Sequence, residues 1–183
     1  MNANPKENKN IVVNLTSDIK CEVGLDTMIF EKNGKKVDFK YNPVYLTINK
    51  SADKLELVPK DKKKKTKAVL NSTEKHILNA ISGLNKEFVY KLAIVYSHFP
   101  ITVKVEGTEV VISNFLGEKN PRKTKVLPGC KVEIKGRDIF VKGHDRYKAG
   151  QTAGNIEKAT RVVGRDFRIF DDGCYIVEKA KQE

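Results

Sequence analysis

Twice along the 183 residues, short stretches that alternate apolar and polar residues give way to one longer stretch whose apolar residues recur at three and four. A period of two belongs to strands with one buried face, and a period near 3.6 to an amphipathic helix, so few architectures accommodate both rhythms in this order. In the first half, Ile11, Val13 and Leu15; Ile19, Cys21 and Val23; Val37, Phe39 and Tyr41; Val44, Leu46 and Ile48; and Leu55 and Leu57 read as short strands. Asn33-Gly34 marks a hairpin, because both central positions of a tight primed turn need positive φ, and Asn42-Pro43 breaks the next pair. An antiparallel meander is expected. A helix follows with Leu70, Ile77, Leu78, Ile81 and Leu84 on one stripe, ending at Gly83 and Asn85.

The same order then restarts. Tyr90 to Tyr96, Ile101 to Val105, Val132 to Ile134 and Ile139 to Val141 alternate as strands, separated by Pro100, Gly107, Pro128-Gly129 and Gly136. A second helix is expected from Asp145, which suits an N-cap, through Val162, because Ala149, Ala153, Ile156, Thr160 and Val163 share its stripe. It closes near Gly164, and a last strand, Cys174 to Val177, follows the Asp172-Gly173 turn. The fold class expected is α+β: two tandem similar domains, residues 1–85 and 86–183, each an antiparallel sheet packed against one main helix. A faint internal match supports duplication, since Asp26 to Lys32 and Arg137 to Lys142 share an Ile-Phe pair and a following lysine.

Thirty-five Lys and Arg against 23 Asp and Glu leave a formal charge of +12, which selects a polyanionic partner. A membrane is disfavoured, because no apolar run reaches the ~18 residues needed to span a bilayer. Met1 to Lys9 is polar and lacks the apolar core of a secretory signal, so a cytoplasmic location is expected, and the three Asn-X-Ser/Thr matches carry no weight. Cys21, Cys130 and Cys174 are odd in number and far apart, which speaks against a disulfide framework or a zinc knuckle.

No enzyme is expected, and neither a metal nor a cofactor. His76, His98 and His144 each lack neighbouring Cys, Asp or Glu at the spacing of a metal site or triad. No glycine-rich phosphate loop is present, and Asp171-Asp172 reads as turn chemistry with carboxylates pointing apart.

The basic residues are the informative feature. Every arginine lies at Arg122 or beyond, while the first half holds only lysine. Guanidinium groups grip phosphate in a fork and stack on bases, whereas ammonium groups act as point charges, so the second half is the better RNA binder. Two clusters are predicted to contact RNA: Lys119, Arg122, Lys123 and Lys125 on a loop, and Arg161, Arg165 and Arg168 running from the helix end. Phe167, Phe170 and Tyr175 lie among the second cluster and could stack on unpaired bases or fill the core. Lys60 to Lys65 reads as a linker with weak phosphate contact.

The stretches Tyr90-Lys91-Leu92-Ala93-Ile94-Val95-Tyr96-Ser97-His98-Phe99-Pro100-Ile101 and Asn114-Phe115-Leu116-Gly117-Glu118-Lys119 carry a more specific signal. With Gly150-Gln151-Thr152-Ala153, Asn155-Ile156-Glu157, Gly164-Arg165-Asp166 and Phe170-Asp171-Asp172-Gly173-Cys174-Tyr175-Ile176, the chain resembles the ribosomal protein L-six family in its archaeal and eukaryotic branch. The match is close over residues 86–178 and loose before them, where the lysine run departs from the family pattern; Gly154 stands where alanine is expected. The resemblance implies a structural constituent of the large ribosomal subunit that binds large-subunit rRNA near the site of translation-factor action. It implies neighbouring large-subunit proteins as partners, and neither a small-molecule substrate nor a homo-oligomer. Charge alone leaves open a free-standing basic RNA-binding module.

Overall fold

The computed structural model describes residues 10–15, 18–51, 54–166 and 168–182, so Phe167 and the stretch Met1 to Lys9 lie outside the described residues. The chain divides into two compact units at the Asn85/Lys86 junction.

The first unit contains β1 (Ile11–Asn14), β2 (Lys20–Val23), β3 (Thr27–Lys32), β4 (Lys35–Lys40), β5 (Leu46–Ser51), β6 (Lys54–Pro59) and α1 (Lys64–Asn85). Its strands form two antiparallel sheets rather than one meander, ordered β2-β3-β4 and β1-β6-β5. The break follows from Asn42-Pro43: beyond it β5 folds back on β6, with Ile48 opposite Leu57, and β1 closes that sheet with Val13 opposite Leu55. The β3–β4 turn is the one the sequence marks, with Asn33 at φ 50° and Gly34 at φ 76°. Met28, Phe30, Leu46, Leu55, Leu57 and Ile77 are fully buried between sheets and helix, each contributing about 1.5–3 kcal/mol by leaving water.

The stripe of α1 that meets this core is Thr66, Leu70, Thr73, Ile77, Ala80 and Leu84. Leu78 falls off it and is exposed, because the spacing of three and four runs through Ala80 instead. The helix also begins inside the lysine run, at Lys64, so only the start of that run is a linker.

The second unit contains β7 (Phe88–Val95), β8 (Thr102–Glu106), β9 (Glu109–Ser113), a 3-10 turn (Phe115–Gly117), β10 (Arg122–Lys125), β11 (Cys130–Lys135), β12 (Asp138–Gly143), α2 (Arg146–Ala159) and β13 (Gly173–Gln182). Its antiparallel sheets are ordered β10-β9-β8 and β11-β12-β7-β13. Strand β9 has no period-two signature, because Val110, Val111 and Ile112 are all buried. Strand β13 runs well past Val177, its register shifting between Ile176 and Glu178 and again before Lys181.

Helix α2 starts where the sequence places it: the Asp145 carboxylate accepts from the Tyr147 and Lys148 backbone N–H groups. It ends sooner than its stripe suggests. Thr160 turns its hydroxyl back to the Ile156 and Glu157 carbonyls and accepts from the Cys174 N–H, so the chain leaves the helix to join β13, and Val163 is 82% exposed. Both units thus repeat the α+β plan of sheets against one helix. The two Ile-Phe pairs are not equivalent within it, since Phe30 points into its core while Ile139, not Phe140, points into the other.

Candidate nucleic-acid interface

Arg122 opens β10, a strand rather than the loop expected, and pairs with Ile112 of β9. Its guanidinium is committed inward. Nε and one terminal nitrogen donate to the two Glu118 oxygens at 2.8 and 2.6 Å, while the other terminal nitrogen donates to the Ala159 carbonyl at 2.8 Å and the Arg161 carbonyl at 3.4 Å. The Phe115 ring lies 4.2 Å below. The bond from Arg122 holds the Glu118 carboxyl below the usual carboxylate range against the opposing effect of partial burial, with the charges of Arg122 and Arg165 adding to it. Arg122 is therefore a brace that ties β10 to the exit of α2.

The segment it braces carries the other arginines. Arg161, Arg165 and Arg168 are exposed along the turn-rich stretch between α2 and β13. Asp166 organises its middle: its carboxylate accepts from the Arg168 N–H, and its carbonyl from the Ile169 and Phe170 N–H groups. Phe170 supports Arg165, whose guanidinium carbon stands 4.8 Å from the ring centroid.

Phe170 in turn stacks on His98, with centroids 4.7 Å apart. His98 Nδ1 lies 2.6 Å from Oδ2 of the fully buried Asp172, whose other oxygen accepts from the Ser97 and His98 N–H groups. The Ser97 hydroxyl donates to Asp171 at 2.7 Å. The two acids thus converge on one turn instead of pointing apart. Burial works against the Asp172 charge, but those donors outweigh it and hold its carboxyl below the ordinary value.

This group is not a catalytic relay. A relay places carboxylate and nucleophile on opposite ring nitrogens, whereas Asp172 and the Ser97 hydroxyl, at 3.1 Å, both sit at Nδ1. The other histidines also have partners that the sequence hides: His76 stacks on Phe39 and His144 Nε2 lies 3.2 Å from Glu87. Burial pushes the Cys21 and Cys174 thiols up to about 11, far from the range of a reactive thiolate. Among the described residues no three His, Cys, Asp or Glu side chains gather as a metal-ligand set, and no helix is long and apolar enough to cross a membrane.

The seven predicted residues therefore separate into four groups. Arg122 faces inward, Arg161, Arg165 and Arg168 share the segment after α2, and Lys119 precedes β10 in an exposed stretch. Lys123 and Lys125 are exposed and alternate along β10 with the half-buried Arg122 and Thr124, so they point away from α2. Sequence reasoning missed Glu118, His98 and Asp172 as organisers of this region, although all three stand within quoted motifs.

The family described as Ribosomal protein L6 matches residues 99–173, a span that includes all seven basic residues. A large ribosomal subunit protein uL6 from Archaeoglobus fulgidus is 46% identical over 140 residues, covering 76% of this chain and 70% of that relative. The uL6 of Methanosphaera stadtmanae is 44% identical over 149 residues, covering 81% of this chain and 80% of its own.

The chain belongs to the ribosomal protein L6 family.

Its type is the archaeal one, and the family is structural and non-enzymatic. Within the L6 frame, the Asn114-Phe115-Leu116-Gly117-Glu118 motif has a geometric reason. Asn114, Leu116 and Gly117 all adopt positive φ, and the turn delivers Phe115 to the face and Glu118 to the edge of the Arg122 guanidinium.

Proposed function

We propose that the chain is a structural constituent of the large ribosomal subunit, anchored on large-subunit rRNA near the region where translation factors act. Its second domain, residues 86–183, is the main rRNA-binding domain, and its neighbours are other large-subunit proteins. Arg161, Arg165 and Arg168, with Lys119, bind the rRNA backbone; Lys123 and Lys125 make a separate phosphate contact from the outer face of β10; Arg122 holds the arginine segment in place. The protein works as one copy within the cytoplasmic ribosome, without catalysis.

The observation that carries this reading is the bracing of an exposed arginine segment by internal bonds. Arg122, Asp166 and Phe170 fix the backbone of an otherwise irregular stretch, which lowers the ordering cost of meeting a rigid RNA surface. Binding of the full chain to large-subunit rRNA across a salt series, beside an Arg161, Arg165 and Arg168→Ala triple variant, tests it. Tight and selective wild-type binding is expected, with a shallower salt slope in the variant, at roughly 0.7–0.9 per lost phosphate contact. Equal affinity for any RNA, or sedimentation of the protein away from large subunits in cell extract, would return the reading to a free-standing basic module.

A further inference from the structure

His98 carries no charge signature in the sequence and sits in a turn fixed by Pro100, yet the fold brings it to the arginine segment. Two contacts define its position. The Phe170 ring lies 4.7 Å from the imidazole, and Arg165 covers that same ring at 4.8 Å, so one aromatic side chain spaces a guanidinium and an imidazole. The buried Asp172 carboxylate takes Nδ1 at 2.6 Å, which fixes the ring orientation and leaves Nε2 at the opposite edge of a side chain that is 33% exposed.

We propose that His98 is a further RNA-contacting residue, its Nε2–H donating to a phosphate of the same rRNA strand that Arg165 holds. The proposal rests on the ribosomal reading above. The charges around the ring suit this role: Asp172 lies directly on Nδ1, and Asp171 follows one bond further through the Ser97 hydroxyl. Both acids stand behind the imidazole. Arg165 is the cation that Phe170 carries, and Glu118 interacts with Arg165. Phe99, which follows His98, packs over the backbone at Gly117 and brings no charge. An imidazolium in this setting balances the inner acids and faces outward with a donor, which is what a phosphate oxygen requires.

The experiment uses the full chain and large-subunit rRNA at fixed ionic strength, between about pH 5.5 and 8.5, the range in which an imidazole changes charge. Wild type, His98→Asn and Arg165→Ala are compared. Asparagine can still donate to Asp172 where Nδ1 does, but has nothing at the Nε2 position. The wild type is expected to tighten by about fivefold on acidification, the size of one partly exposed ion pair. His98→Asn should bind like wild type at the alkaline end and fail to tighten. His76 and His144 are present in both proteins, so whatever they contribute cancels in the comparison.

If His98→Asn does not fold, the readout passes to the ring resonances of wild-type His98, which must shift and titrate at higher pH once rRNA is added. Matching pH profiles for wild type and His98→Asn, or ring resonances unmoved by rRNA, overturn the proposal while an Arg165→Ala defect leaves the parent reading standing. A wild type that does not prefer large-subunit rRNA to an unrelated RNA of equal length overturns both.

Discussion

Asp172 illustrates how a single buried charge is kept in this protein. A carboxylate removed from water is costly unless donors replace its hydration, and here two backbone N–H groups and an imidazole do so. Its folded-state pKa is lowered, which fixes the sign of its effect: the stabilisation is present above the unfolded carboxyl value of about 3.9 and is lost as pH falls through the lower folded value. Asp172→Asn is therefore expected to cost about 1–3 kcal/mol at neutral pH, with the gap to wild type narrowing in acid, as read by urea melts at pH 7 and pH 3. A gap of equal width at both pH values would show that the charge contributes nothing. None of this was visible in the sequence, where Asp171-Asp172 reads as a turn, because Ser97 and His98 lie 74 or 75 residues away.

Among the elements, α2 shows what local chemistry does reveal. Its N-cap at Asp145 and the buried stripe of Ala149, Ala153 and Ile156 follow from residue type and spacing. Its end does not, because the departure at Thr160 is set by a bond to Cys174 on β13. Two of its glycines make a paired test. A Cβ at Gly154 would meet nothing within 4 Å, so Gly154→Ala is expected to stabilise the protein by about 0.5–1 kcal/mol, the helix-propensity difference, and to raise the melting temperature. A Cβ at Gly150 would stand 2.8 Å from the Tyr90 hydroxyl, so Gly150→Ala should lose that gain unless Tyr90 moves aside. Identical shifts in the two thermal melts would mean that helix–sheet contact does not limit position 150. Two of the strands that escaped prediction likewise carry no local signal: β9 is buried on both faces, and β10 is a basic segment made a strand by its pairing with β9.

For the whole molecule, a charge of +12 opposes compaction, and each of two small units buries a limited core, so the isolated protein should be marginally stable. Cognate large-subunit rRNA is expected to raise its melting temperature, and added salt to erode that rise as counterions compete for the phosphates. A melting temperature indifferent to rRNA would count against the charge having a binding role. The sequence by itself determined the repeated order of strands and helix, the Asn33-Gly34 hairpin, the N-cap of α2 and the concentration of arginine in the second half, because period, φ preference and charge are properties of neighbouring residues. Only the tertiary structure decided that the strands of each unit form two sheets, that Arg122 turns inward to Glu118 and the exit of α2, and that His98 joins Arg165 through Phe170. Those outcomes depend on contacts between residues tens of positions apart, which exist only once the sheets have closed.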